Sequence, residues 1–188
     1  ASFHSVCISD YDKQTIFDAY NQVLDYLTLP NKTFSAGVFK FSEEGAAHFA
    51  DCKVLFDLNA VVLIISSVII VATLILQKLK LIELKRPFGM SVAFISATSI
   101  LLIILIIFAL CAIDFSKAFV VFHQIFFAGK DNWTFDPRFD QIITALPETF
   151  FMNCAIFIGV GIIALSVGII ITQFVLKWRK NRYFNKNS

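Results

Sequence analysis

Charge is scarce in this chain: only 16% of its 188 residues are Asp, Glu, Lys or Arg, against 57% apolar residues and a mean hydropathy of +0.75. A water-soluble domain has about a quarter of its residues charged, so that class is excluded. The net charge of +2 gives no footing to a nucleic-acid partner. Cysteine is sparse as well. Cys7, Cys52, Cys111 and Cys154 stand apart, with no CxxC pair and no ligand spacing, so neither a zinc site nor any other metal or cofactor is expected. Cys7 and Cys52 fall in one segment and are able to pair, with two free thiols the favoured alternative. No internal repeat, low-complexity tract, Walker loop or GxSxG elbow is present. The triplet Gly159-Val160-Gly161 lies inside an apolar run, where helix packing rather than dinucleotide binding explains it.

What the chain has in quantity is phenylalanine, 22 copies, more than one aqueous core of this size buries. It also has three runs without a single Asp, Glu, Lys or Arg: Leu58 to Leu76, Val92 to Ile113 and Cys154 to Leu176. A bilayer core of about 30 Å needs roughly 20 apolar helical residues, and each run meets that length. Isolated polar residues within them, such as Ser67, Thr98 and Thr172, are expected to bond back to helix carbonyls or across to a neighbouring helix.

Basic residues fix the orientation. Residues 77 to 89 hold Lys78, Lys80, Lys85 and Arg86, and residues 177 to 188 hold Lys177, Arg179, Lys180, Arg182 and Lys186, so these short segments are expected on the cytoplasmic side. The basic tail suits an anionic lipid surface. Residues 1 to 57 and 114 to 151 are then extracytoplasmic, and they contain every acidic residue except Glu83. The chain starts at Ala1 without a basic, apolar leader, so exporting the first segment calls for an upstream signal or, preferably, an upstream membrane helix. The expected fold is an all-α polytopic membrane protein: three transmembrane helices here, a fourth upstream, and a partly helical extracytoplasmic cap.

Within the first outer segment, Ile16, Phe17, Tyr20, Val23, Leu24 and Leu27 recur at helical spacing, with Asp10 as the expected cap and Pro30-Asn31 as the stop. Thr33 to Phe41 has a strand-like pattern around Gly37. Ser42 followed by Glu43 and Glu44 reads as a helix start, and His48 falls two turns in, with Asp51 on the same face. In the second outer segment Ser116 is the expected cap of an apolar helix to Phe127, too short to span and so re-entrant or interfacial, carrying His123. After Gly129 come the turn Lys130-Asp131-Asn132-Trp133 and then Asp136-Pro137, expected to open a helix through Asp140 to Leu146. Trp133 suits a membrane interface.

Three pieces of these segments, YNQVLDYL from Tyr20, EEGAAHFADCKVLF from Glu43 and above all HQIFFAGKDNWTFDPRFDQIITALPETFF from His123, resemble the lipoprotein intramolecular transacylase family of low-GC Gram-positive bacteria. The resemblance runs from about Tyr20 to Phe174. It implies a multi-pass cell-membrane acyltransferase with an extracytoplasmic site. Such an enzyme moves the sn-2 acyl chain of a diacylglyceryl-modified lipoprotein to the α-amino group of its N-terminal cysteine, giving the lyso form. The partners implied are the lipoprotein substrate and membrane lipids; no oligomeric state follows. The family's two essential histidines correspond to His48 and His123, with Asp51, Asn132, Trp133, Asp136 and Asp140 as supporting residues.

The chemistry agrees with the residue types. Turning an ester into an amide requires a base for the ammonium, stabilisation of the oxyanion and an acid for the departing alkoxide, and imidazole serves in either proton-transfer role. The amine attacks directly, or one imidazole first forms an acyl-imidazole. Without the resemblance, His123 on its apolar helix reads as a satisfied core residue, and Asp51, Asn132, Asp136 and Asp140 as capping or turn residues. His4, near the start, carries no expected role. Two other classes compete: a non-enzymatic assembly or chaperone subunit, and a small metal or proton transporter. The transporter lacks the ionisable residue that a translocation route leaves within the spans.

Overall fold

A computed structural model of the chain describes residues 11–84 and 87–186. Its elements in order are α1 (Lys13–Thr28), α2 (Glu43–Lys78), a 3-10 turn (Pro87–Gly89), α3 (Val92–Ile113), α4 (Phe115–Phe126), the short α5 (Ile142–Ala145) and α6 (Glu148–Lys186). Among the described residues there is no strand, and three helices, α2, α3 and α6, are long and apolar enough to cross a membrane. Large side chains on them, including Leu63, Ile64, Val68, Leu102, Ile106 and Phe157, are exposed, as lipid-facing residues are. The fold is all-α and multi-pass.

The 36 residues of α2 would measure about 54 Å, well beyond the bilayer core of about 30 Å. Its uncharged stretch begins only at Leu58, so Glu43, Glu44, His48, Asp51, Cys52, Lys53 and Asp57 sit on an extension that precedes it. By contact the chain forms two compact units, Ala1–Ala72 with Val120–Phe150, and Thr73–Phe119 with Phe151–Ser188.

In the first unit the core gathers Ala19 and Val23 of α1, Ala36, Phe39, Phe49 of α2 and Ile142 of α5. Helix α1 is capped by Asp12, whose carboxylate accepts the Thr15 amide at 2.7 Å; Asp10 lies outside the described residues. Lys53 donates to the carbonyls of Tyr26 and Leu29 (2.8 and 3.0 Å), satisfying the last turn of α1 from α2. Residues 33 to 41 are not a strand. Their polar backbone is held by the turn before α5 instead: Gln141 N donates to Lys40 O (2.9 Å), Gln141 Oε1 accepts from Lys40 N (3.1 Å), and a turn closes from Phe39 N to Ala36 O. Gly37 sits at φ +62 with its missing Cβ 3.0 Å from that of Ala19, so any other residue there is strained and crowded.

In the second unit α3 packs on α6. Ser91 caps α3 through the Phe94 amide and donates to Gln173 Oε1 at 2.8 Å, while Phe94 meets Phe174 edge-on. Gly159 of α6 lies so close to Phe108 that a Cβ would fall 2.0 Å from the ring. Of the two glycines in the Gly159-Val160-Gly161 triplet, Gly159 alone is a packing position among the described residues.

Candidate active site

The start of α2 aims the site. Its first amides are met by Ser42 and by a residue 98 positions later in the chain: Asp140 accepts from Ser42 N (2.8 Å) and Ser42 Oγ (2.9 Å), while Ser42 Oγ accepts from Gly45 N (2.9 Å). Gly45 is the glycine this approach demands, because a Cβ there would lie 2.1 Å from the Asp140 carboxylate. One turn beyond Gly45, His48 points inward and is 5% exposed.

Helix α4 brings the second imidazole. Its first turn is capped by Asp114 rather than by Ser116: the Asp114 carboxylate accepts the Lys117 amide at 3.0 Å, and the helix starts two residues earlier than the sequence suggests. The helix ends at Phe126, and the turn that follows closes at Gly129, in the left-handed conformation at φ +76, which turns the chain back over His123. His123 is 8% exposed, and its ring centroid lies 5.7 Å from that of His48, with the planes inclined by 29°. Phe127 and Phe135 stand edge-on to His48 at 4.7 and 5.3 Å, and Trp133 tilts over His123 at 5.1 Å, anchored by its Nε1 donating to Lys130 O at 2.9 Å.

Polar groups gather near His48. Cys52, one turn on, places its sulfur 3.4 Å from His48 Nε2. Its neighbour Asp51 accepts from Asn132 Nδ2 at 2.9 Å and forms a short ion pair with Lys130. His48 Nδ1 and Asn132 Oδ1 are both buried and complete no well-aligned hydrogen bond among the described residues, yet the Asn132 side chain is near enough to favour a charged imidazole. Burial pushes the His48 pKa down to about 4, with repulsion from His123 and Lys130 in the same direction and Asp51 and Asn132 opposing it. The Lys130 and Asn132 hydrogen bonds hold the Asp51 carboxyl below its ordinary value. Burial, then Asp51, pushes the Cys52 thiol up to about 12.

Of the residues singled out in the sequence, His48, His123, Asp51, Asn132 and Trp133 converge. Asp136 and Asp140 do not join them. No helix runs through Asp140; Asp136 forms a tight turn, accepting from Arg138 N (2.9 Å) and pairing with its guanidinium (2.5 Å), and Arg138 holds the Asp136 carboxyl down at about 2. Proline at 137 starts that turn, but the next helix waits until Ile142. Asp140 caps α2 from a distance, not a helix of its own. Cys52 and Lys130 are neighbours of the histidines that sequence reasoning passed over. The four-residue spacing of His48 and Cys52 was the available signal; nothing in the spacing of Lys130 and Asp51 pointed to their pairing. His4 and Cys7 lie outside the described residues, and Cys52 is a free thiol. Among the described residues no three His, Cys, Asp or Glu side chains converge as metal ligands.

A buried, aromatic-walled pair of imidazoles, flanked by an ionised carboxylate and mounted on a helix that continues into an apolar run, marks a multi-pass membrane protein equipped for proton transfer. The sequence model of the lipoprotein intramolecular transacylase Lit family matches residues 3–151, and the chain belongs to that family of membrane acyltransferases. Among solved structures it is similar to the membrane-integral Lit of Bacillus cereus, with 27% identity, a TM-score of 0.71 and coverage of 96% of this chain and 78% of that one. Two variants of that protein, with one histidine replaced by arginine or by alanine, match at 26% identity with TM-scores of 0.70 and 0.68; this chain is covered to 93% and 92%, and those chains to 75% and 76%. No curated protein matches the sequence.

Proposed function

We propose that the chain moves the sn-2 acyl group of a diacylglyceryl lipoprotein to the α-amino group of that lipoprotein's N-terminal cysteine, with His48 and His123 as its acid–base pair. The observation that carries this is the face-to-face placement of two buried imidazoles, 5.7 Å between centroids, within reach of one reacting ester. His48 stays neutral at physiological pH and accepts the proton as the amine adds to the ester carbonyl. The C–O bond to the glycerol sn-2 oxygen then breaks, His123 delivers a proton to that oxygen, and the proton held on His48 replaces it, so that both imidazoles return to their starting state. Nitrogen gains the acyl group, the glycerol gains a hydroxyl, and no water or second lipid is consumed. The phenyl and indole walls exclude water that would otherwise compete for the acyl group.

The same reading places residues 1–57 and 114–151 on the extracytoplasmic face, where lipoproteins carry their lipid, and residues 77–89 and 177–188 in the cytoplasm; the lysine and arginine bias of those short segments supports it. Protease cleavage of the tail from outside intact cells would overturn this orientation. The reaction is tested with a purified diacylglyceryl lipopeptide bearing a free amine. Fragmentation mass spectrometry should find an isomer of unchanged mass with one acyl chain on nitrogen. Free fatty acid as the main product would make the protein a hydrolase, and a lipopeptide heavier by one acyl chain would make a phospholipid the donor. No lipid chemistry at all would return the protein to the assembly or transport readings.

A further inference from the structure

The ion pair between Asp51 and Lys130 sets a primary ammonium group one helical turn from His48, at the edge of the site where the proposed reaction needs another. We propose that Asp51 is the seat of the substrate's α-ammonium group, and that Lys130 marks this seat with its own ammonium and yields it when the lipopeptide binds. The inference rests on the functional reading above, which supplies a substrate with a free amino terminus next to the ester.

Four observations support it. Asp51 is half-hidden, with 22% of its side chain exposed, so it is reachable from outside while its far oxygen is fixed by Asn132 at 2.9 Å. Lys130 is the looser partner: half of its side chain is exposed, whereas its backbone is pinned by the Trp133 indole and by its own amide on Phe127 O (3.0 Å). The side chain is therefore able to swing into water without moving the loop that walls His123. An ion pair this exposed contributes little, so exchanging one ammonium for another is nearly isoenergetic. Finally, Asn132, which orients Asp51, also lines a cavity of about 520 Å³ whose rim carries Glu44 and Asp131, both exposed, together with Asp136 and Asp140. Arg138 neutralises Asp136 and Ser42 occupies Asp140, but the remaining field still draws a cationic group toward Asn132 and Asp51. A carboxylate that receives the ammonium here presents the amine beside His48 and turns the lipid toward the apolar end of α2.

The seat also sets a specificity rule: an amino terminus already acylated has no charge to offer Asp51 and is not accepted. Binding is measured by calorimetry in detergent with a dialkylglyceryl lipopeptide, ether-linked so that no acyl group transfers, in free-amine and N-acetyl forms. The free amine should bind about ten- to hundredfold more tightly. Asp51→Asn should remove that preference, and Lys130→Met should strengthen binding of the free amine while leaving the N-acetyl form unchanged. Equal binding of the two forms by the native protein would overturn the proposal, whether or not Asp51→Asn folds; so would weaker free-amine binding by Lys130→Met. The two readings separate cleanly. An ester-linked lipopeptide that is bound with amine preference but not isomerised strikes the acyl transfer alone, whereas isomerisation without amine preference strikes the ammonium seat alone.

Discussion

The imidazole of His48 lies over that of His123, centroids 5.7 Å apart, although one comes from the extension of α2 and the other from the last turn of α4. Both rings are buried among phenylalanines and an indole, so each has a packing role as well as a chemical one. His48→Gln and His123→Gln should each lower the isomerisation rate by about 10²- to 10⁴-fold, the usual yield of a positioned acid or base, while the protein still melts cooperatively in detergent. If either variant loses its melting transition, the ring serves the core first.

Asp140 holds the start of α2 through Ser42, and its loss would leave the Ser42 amide without its acceptor. Asp140→Ala should destabilise the protein by about 1–3 kcal/mol, with Asp140→Asn milder because an amide oxygen still accepts. Gly45→Ala should be comparably harmful, since its Cβ would lie 2.1 Å from an Asp140 oxygen and drive the carboxylate off the helix end. Chemical denaturation followed by circular dichroism measures all three. A stable Gly45→Ala would show that Asp140 is free to shift.

The three membrane helices were legible in the sequence because a run of 19 or more uncharged, mainly apolar residues is a local signal. Val92 to Ile113 matches α3 end to end. The site was legible only in part. His48 and Asp51 share a helix face, which spacing reveals, and Gly129 announces the reversal that brings Trp133 back over His123. What spacing does not encode is pairing across the fold. Asp140 was read as capping its own neighbourhood but caps a helix 98 residues away, and residues 33 to 41 had a strand's alternation without a strand to pair with. Asp136-Pro137 carried a helix-start signature, yet the Arg138 bond closes a single turn there.

Gly159 and Gly161 look equivalent in the sequence and are not. A Cβ on Gly159 would meet Phe108 at 2.0 Å, whereas none on Gly161 or Gly168 would meet any described atom within 4 Å. Close approach through small residues is how membrane helices gain contact where lipid removes the hydrophobic drive. Gly159→Ala should therefore destabilise the α3 and α6 pair by about 1–3 kcal/mol unless Phe108 turns away. Gly161→Ala and Gly168→Ala should be neutral or stabilising, as alanine favours helix. Thermal melting of the three variants decides it; a Gly159→Ala protein as stable as its parent would mean that this contact is slack.

The depressed pKa of His48 separates two pH effects that are easily merged. In the folded protein burial brings the group to about 4, against an ordinary value of 6.5. Between these values the unfolded chain binds a proton that the folded one does not, so stability rises with pH across that window and is lost as pH falls through it. Above about 6.5 the contribution is flat. Asp51 acts in the same direction over a lower range: its lowered pKa gives stability that is full above the unfolded carboxylate value and is lost as pH falls from there through the folded one. Denaturant midpoints at pH 4.5 and 6.5 should thus differ in the native protein and converge in His48→Gln. Asp51→Asn should widen the difference, because it removes a charge that favours the imidazolium. Activity follows another group. With His48 neutral down to about 4, the fall in rate from pH 8 toward 5 should track the substrate's α-amine, ordinarily titrating at about 7.7–8.0. A lipopeptide with a less basic amino terminus should shift that limb downward, measured as kcat against pH, because the ammonium seated on Asp51 must lose its proton before the amine attacks. A limb that stays fixed would assign it to a group of the enzyme instead of the substrate amine.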